Sequence, residues 1–135
     1  MPAQARENSR AGARAFVQYA IQVLNHSLQA QTGDVLRDIS SKRCTICRRL
    51  ASQADGLTAS GGYQVGGVWT PRTFYFIPLE PQDQPIVNVA IDVSAGKFRE
   101  GADEPVRRIP KGVIRDDFHL RWTSNDWQLI DVVAA

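Results

Sequence analysis

The chain has 135 residues, 43% of them hydrophobic, which is enough for one domain whose core needs neither metal ions nor many disulfides. Its net charge is only +2 and its basic residues form no dense runs interleaved with aromatic residues, so nucleic acid is not an expected partner. No apolar run approaches the roughly 18 residues of a membrane span, and the N-terminal stretch "MPAQARENSRAG" lacks the apolar centre of a signal peptide.

A long amphipathic helix is predicted after a flexible lead-in at residues 1–8. From Ala13 to Leu28, apolar residues recur at spacings of three and four, which places them on one side of a helix. This side of the helix is expected to face the core.

Two shorter helices are expected next. Gly33 suits the left-handed position that ends the first helix, and Asp34 is expected to cap a second helix with the sequence "DVLRDIS". Ser40 or Ser41 is expected to cap a third helix that stops at Gly56.

Six segments after Gly61 are rich in β-branched and aromatic residues, which is typical of β-strands. They are "YQVGGVW", "RTFYFIPL", "PIVNVAIDVS", "KFR", "VIRDDFHLRW" and "WQLIDVV". Between them, "PLEPQDQP" and "EGADEPVRRIPKG" are rich in proline and charge, and are expected to be exposed loops. The paired glycines of "YQVGGVW" predict a bend, with close approach of a ligand to the backbone as the alternative.

Helices followed by antiparallel strands predict a single α+β domain over 9–135 rather than alternating βα units. Three N-terminal helices (9–57) are expected to pack on a mostly antiparallel sheet of five or six strands (61–135). Two of the strands alternate cleanly, so each has one face toward a core. The alternating residues are Val87, Val89, Ile91 and Val93 in one strand, and Phe118, Leu120 and Trp122 in the other.

This order of elements, ending in the strand "DWQLIDV", resembles the cone-shaped fold named after nuclear transport factor 2. In that fold a curved sheet wraps around the long first helix, often leaving a pocket between them. Some proteins of this fold are isomerases or dehydratases that use Asp, His or Tyr inside the pocket. The resemblance therefore implies a curved sheet and an interior site.

Residues 7–51 combine an AF-x-x-Y-x-x-x-x-N helix, a TGD turn, a Ser-rich cap and a C-x-x-C pair. The positions that carry this pattern are Ala15, Phe16, Tyr19, Asn25, Thr32, Gly33, Asp34, Ser40, Cys44 and Cys47. With this pattern the segment resembles a family of actinobacterial secreted lipoproteins of unknown function. The resemblance implies an extracytoplasmic domain that an N-terminal lipid, absent from this chain, anchors at the cell envelope.

Cys44 and Cys47 are the only cysteines of the chain. A thioredoxin-type redox motif would follow a strand, whereas this pair follows two helices. A zinc site would need two more ligands, and His26 and His119 are isolated from the pair. A short structural disulfide is therefore favoured, while reduced thiols, redox activity and a metal site stay open; no metal or other cofactor is expected.

The candidate pocket residues are Tyr75, Asp92, His119 and Trp122. His119 alternates in phase with Asp117, which favours a solvated polar face. Asp92 precedes "SAGK", a setting typical of a strand end approaching a turn. No nucleophile, base and orienting group can be assembled from spacing alone.

Four basic residues surround the cysteines: Lys42, Arg43, Arg48 and Arg49. A solvated helix face is the favoured interpretation. With the helix N-terminus they are also a candidate contact for an anion or a lipid headgroup.

Together these features predict a non-enzymatic extracytoplasmic domain that binds a partner protein or a small apolar ligand. An isomerase- or dehydratase-type enzyme with a polar site inside the cone is the alternative. A homodimer through the open sheet is a weaker prediction.

Overall fold

The computed structural model describes residues 1–135, with the helices preceding the strands in the chain. A short 3-10 helix is followed by three α-helices and seven strands. The elements are the 3-10 helix Ala3–Arg6, α1 (Arg10–Ala30), α2 (Asp34–Ile39), α3 (Thr45–Ser60), β1 (Tyr63–Gly66), β2 (Trp69–Phe76), β3 (Ile86–Val93), β4 (Gly96–Arg99), β5 (Arg107–Ile109), β6 (Gly112–Thr123) and β7 (Asp126–Ala134).

The strands form two antiparallel sheets. One has four strands in the order β2-β3-β6-β7, and the other has three in the order β1-β4-β5. The three helices pack with these sheets, which do not close into a barrel. The predicted α+β class, with helices first and antiparallel strands afterwards, is confirmed.

Two glycines divide the chain between the sheets. Gly66 and Gly67 have φ angles of +68° and +63°, a region that residues with a Cβ rarely adopt. A Cβ at Gly66 would also lie 2.3 Å from the carbonyl oxygen of Ala95. The predicted bend is therefore confirmed, and the segment "YQVGGVW" contains β1 and the start of β2 rather than one strand.

One strand that was not predicted, β5, lies in a segment that the sequence predicts to be a loop. Within "EGADEPVRRIPKG", β5 pairs with β4, with Lys97 opposite Arg108 and Phe98 opposite Arg107. The β5 strand spans only three residues and contains two adjacent arginines, so it shows no hydrophobic alternation. For this reason the predicted five or six strands become seven.

The core lies between α1 and the four-stranded sheet. Phe16, Val17 and Ala20 of α1 are fully buried, as are Val89 and Phe118 of the sheet. The apolar stripe predicted for the first helix thus meets the predicted inward faces of β3 and β6. Burial of such apolar surface is the main stabilising contribution to the fold.

The N-terminal segment, predicted to be flexible, is packed on the domain. Ala5 is fully buried, and the indole nitrogen of Trp127 donates a hydrogen bond to the backbone oxygen of Glu7 at 2.8 Å. This bond joins the N-terminal segment to the start of β7, so residues 3–7 cover one end of the core.

The turn between α1 and α2 differs from its prediction. Gln31, not Gly33, takes the left-handed position that ends α1, with φ of 58°. Gly33 has φ of −97°, and a Cβ there would lie 2.4 Å from the backbone oxygen of Ala51. Glycine is needed because α3 passes against this backbone. Asp34 makes no capping hydrogen bond and is instead the first residue of α2.

The ends of α3 also differ from the prediction. The helix continues through Gly56 to Ser60, and Gly61 takes the left-handed cap position with φ of 76°. Leu57, which is 2% exposed, anchors this last turn in the core and so outweighs the intrinsic cost of glycine at Gly56. At the start, the sulfur of Cys44 accepts the N–H of Cys47 at 3.2 Å, and neither predicted serine caps the helix.

Replacing Gly33 with alanine should destabilise the fold, because the new Cβ would overlap the α3 backbone. We expect a loss of about 1–3 kcal/mol in the free energy of unfolding, measured by urea denaturation. Gly56→Ala is the matched control, since an alanine there meets nothing within 4 Å and should add about 0.5–1 kcal/mol. Equal effects of the two substitutions would contradict this close approach.

Candidate functional site

A cavity of 540 Å³ lies between the helices and the two sheets. Eighteen residues line it, and eleven of them are apolar. Cavities of this kind, largely apolar with a few polar groups, are the usual form of small-molecule sites.

The helical wall of the cavity comes from α1 and α3. Leu24 and Leu28 of α1 and Ile46 and Leu50 of α3 line it. Each pair is spaced by four residues, which places both members on one side of its helix. These side chains continue the apolar stripes beyond the closely packed part of the core.

Asn25 joins the helical wall to the sheet. Its side-chain nitrogen donates to the backbone oxygen of Trp69 at 2.8 Å, and its side-chain oxygen accepts the backbone N–H of Trp69 at 2.9 Å. Both groups of the amide are thereby paired with the backbone at the start of β2. These two hydrogen bonds hold α1 beside the glycine bend.

The remaining walls come from both sheets. Trp69 and Val93 belong to the four-stranded sheet, whereas Phe98 and Ile109 belong to the three-stranded sheet. Gly67 also lines the cavity. The glycine pair can therefore both bend the chain and allow a ligand to approach the backbone, which the sequence analysis gave as alternatives. The cavity therefore exists because the sheets diverge at the bend.

Asp116 is the only acidic residue in the wall of the cavity. It is 9% exposed and alternates in phase with the buried Phe118 and Leu120, so it lies on the helix-facing side of β6. Its side chain makes no hydrogen bond and no ion pair within the chain. Burial, and secondarily the neighbouring Asp117, raises the pKa of the Asp116 carboxyl.

Sequence analysis did not single out Asp116, although a signal was present. The alternation that predicts Phe118, Leu120 and Trp122 on the core side also places Asp116 on that side. An acidic residue in phase with a buried apolar face is uncommon. Because Asp117 lies next to it on the polar face with His119, the inward position of Asp116 was overlooked.

The four predicted pocket residues do not line this cavity. Tyr75 is 59% exposed, and Asp92 is exposed and forms an ion pair with Arg72 at 3.4 Å. His119 is half-buried opposite Ile86 and Asp131, out of phase with the inward face of β6. Trp122 packs edge-on against Trp127, with ring centroids 5.2 Å apart. No acid–base pair is assembled from Tyr75, Asp92 and His119.

Cys44 and Cys47 form a disulfide at the start of α3. Both are almost fully buried, at 1% and 2% exposure, and belong to the main apolar core. The favoured structural disulfide is confirmed. No group of three or more His, Cys, Asp or Glu residues is placed to hold a metal ion.

The four cationic residues near the cysteines are exposed and none of them forms an ion pair. Lys42 and Arg43 precede α3, whereas Arg48 and Arg49 lie in its first two turns. The anion contact stays a prediction. None of the helices is both long enough and apolar enough to span a membrane.

Comparison with known proteins identifies a family and structural neighbours. The model of a family of unknown function (DUF6318) matches residues 1–133, while no curated protein matches the sequence. The chain is similar in structure to the intermembrane space region of chloroplast protein ARC6, with a TM-score of 0.57 and 7% sequence identity. The alignment covers 90% of this chain and 96% of that one, and at this identity it shows similarity of fold alone.

Removing the disulfide should lower stability only modestly, because so short a loop restricts the unfolded chain little. When the wild-type disulfide is reduced, we expect a loss of about 2 kcal/mol or less in the free energy of unfolding, measured by urea denaturation with and without reductant. Unfolded, non-reduced wild type should take up no iodoacetamide, and the reduced protein should take up two equivalents. Labelling of two thiols without reductant would contradict the disulfide.

Asp116 should make stability depend on pH in a defined direction. Its folded-state pKa lies above the ordinary value of 3.8, so ionisation costs the folded state free energy as pH rises through this range. Asp116→Asn removes that cost. Relative to wild type, its urea midpoint should therefore rise between about pH 3 and about pH 7.

Asp126→Asn is the control for this measurement, because Asp126 is exposed at the first residue of β7. Its midpoint relative to wild type should change little over the same pH range. A pH-independent difference for Asp116→Asn would show that the carboxyl ionises without cost in the fold.

Proposed function

The chain belongs to the DUF6318 family of unknown function, and from its geometry we propose that the domain binds a small, mainly apolar ligand. The observation that carries this proposal is the cavity between α1, α3 and the two sheets. Its 540 Å³ volume falls within the range of about 300–1,000 Å³ that small-molecule sites occupy.

The wall of the cavity supports binding of an apolar molecule. Leu24, Leu50, Trp69, Phe98 and Ile109 present aliphatic and aromatic surface from both helices and both sheets. A ligand that covers this surface removes it from water, which is favourable at about 25 cal/mol per Å² of apolar area.

Binding without chemical conversion is the simpler function for this site. The isomerase or dehydratase alternative requires an acid or base paired with a second polar group in the cavity. Asp116 has no side-chain partner there, and Tyr75, Asp92 and His119 lie elsewhere. The geometry therefore favours a binding domain over an enzyme.

The proposal includes an extracytoplasmic location. The buried Cys44–Cys47 disulfide supports it, since disulfides persist mainly in oxidising compartments. The resemblance of residues 7–51 to secreted actinobacterial lipoproteins adds the proposal of an N-terminal lipid anchor.

The proposal also places this domain in the cone-shaped class named after nuclear transport factor 2. Three features support that placement: the helices precede the strands, a glycine pair bends the chain between sheets, and a cavity lies beside the long α1. Dimerisation through the sheet and binding of a partner protein stay predictions.

Filling the cavity should block ligand uptake. The neutral dye Nile red, whose fluorescence increases in apolar surroundings, should bind wild type, and Leu50→Trp should weaken its affinity by about tenfold or more, or 1.4 kcal/mol. Leu50 is half-buried and lines the cavity, so the larger indole occupies the space of the dye. Affinity is measured by fluorescence titration.

Arg49→Trp is the matched control, because it adds the same side chain at the adjacent, exposed position of α3. It should leave the affinity for Nile red within about twofold. Absence of dye binding to wild type, or equal loss in both variants, would overturn the proposed function.

A further inference from the structure

The unpaired carboxylate of Asp116 is the feature of the cavity that apolar binding leaves unexplained. Buried polar groups in native proteins are nearly always hydrogen-bonded, and a buried charge without a partner is costly. Asp116 is 9% exposed and has no side-chain hydrogen bond or ion pair, and its carboxylate oxygens retain some accessible surface. A partner supplied by a ligand would remove this cost.

The surroundings of Asp116 favour a cationic partner. The lining residues from α1 and α3 carry no charge, and neither do Val132 and Ala134 of β7. Val89 and Ala134 lie directly opposite Asp116 on the neighbouring strands. Of its two neighbours along β6, Asp117 adds a negative charge and Arg115 a positive one; the guanidinium of Arg115 donates to the side chain of Asn88 and makes no ion pair with Asp116.

Arg107 is the only basic residue that lines the cavity, and it does not serve as this partner. It is exposed on β5 and forms no ion pair with Asp116. The apolar wall of the cavity also contains Gln53 and Gln64, but these are neutral. The carboxylate of Asp116 is thus left open to a molecule that enters the cavity.

Resting on the proposed function, we propose that the ligand is an apolar molecule bearing a protonated amine, and that its ammonium group pairs with Asp116. The apolar body of such a ligand covers the aliphatic and aromatic walls. Its ammonium group donates hydrogen bonds to the carboxylate, and charge-assisted bonds of this kind are the stronger ones. The ammonium and carboxylate groups would each be costly to bury alone, and pairing them reduces this cost.

Three probes of the same length and different head groups test the proposal: phenylbutylamine, phenylbutanol and phenylbutyrate. Each competes with Nile red for wild-type protein at neutral pH. The amine should bind about tenfold more tightly than the alcohol, and the carboxylate should bind most weakly. In Asp116→Asn, the preference for the amine over the alcohol, each measured in the same variant, should fall to about twofold or less.

Asp117→Asn is the control, since it removes the same charge from the neighbouring residue, whose side chain accepts a hydrogen bond from Asn88. It should retain most of the preference for the amine. A cooperative urea unfolding transition shows that Asp116→Asn folds.

The outcomes separate the two proposals. Dye binding without a preference for the amine, or a preference that survives in Asp116→Asn, overturns the ammonium assignment and leaves the apolar site intact. Tightest binding of phenylbutyrate, lost in Arg107→Gln, overturns it in favour of an anionic ligand. Failure of wild type to bind the dye overturns the proposed function, and the ammonium assignment with it.

Discussion

The bend at Gly66 and Gly67 is the constraint on which the rest of this structure depends. Both residues have positive φ angles, and the chain passes so close to Ala95 and Gly96 that a side chain would not fit. Because β1 and β2 leave this point into different sheets, the strands cannot form one continuous layer. The divergence creates space beside α1. The apolar side chains around this space do not fill it, so a cavity remains.

The cavity combines two properties that oppose each other in a protein interior. Its walls are mainly apolar, which favours removal of water, whereas the buried carboxylate of Asp116 favours a polar partner. In a purely structural core, this conflict is normally avoided by replacing the acidic residue with an apolar one. Its presence at an inward position of β6 is understandable if the interior receives a molecule that satisfies both properties.

The parts of the fold that could be predicted are those with a repeated local pattern. The stripe of α1 and the alternation of β3 each identify an element and its buried side, because several residues contribute to the same signal. Gly33 shows the limit of this approach. Sequence suggests a left-handed turn there, but the actual requirement is contact with Ala51, which lies on another helix.

The site was less predictable for the same physical reason. Tyr75, Asp92 and His119 were selected as polar residues in strands, yet strand phase directs Tyr75 and His119 away from the helices. Asp116 could have been found from its phase with Phe118, whereas the cavity around it could not. Part of its wall is formed by Arg107 and Ile109 of β5, a strand of three residues without a recognisable pattern.

The hydrogen bonds of Asn25 have a consequence for how relatives of this domain can diverge. The amide contacts only backbone atoms of Trp69, so the joint between α1 and β2 does not depend on which side chain occupies position 69. The indole at that position lines the cavity and packs against the main core, but it takes no part in these hydrogen bonds. Selection can therefore alter what the cavity accepts at position 69 while holding position 25 constant, which separates evolution of ligand preference from preservation of the frame.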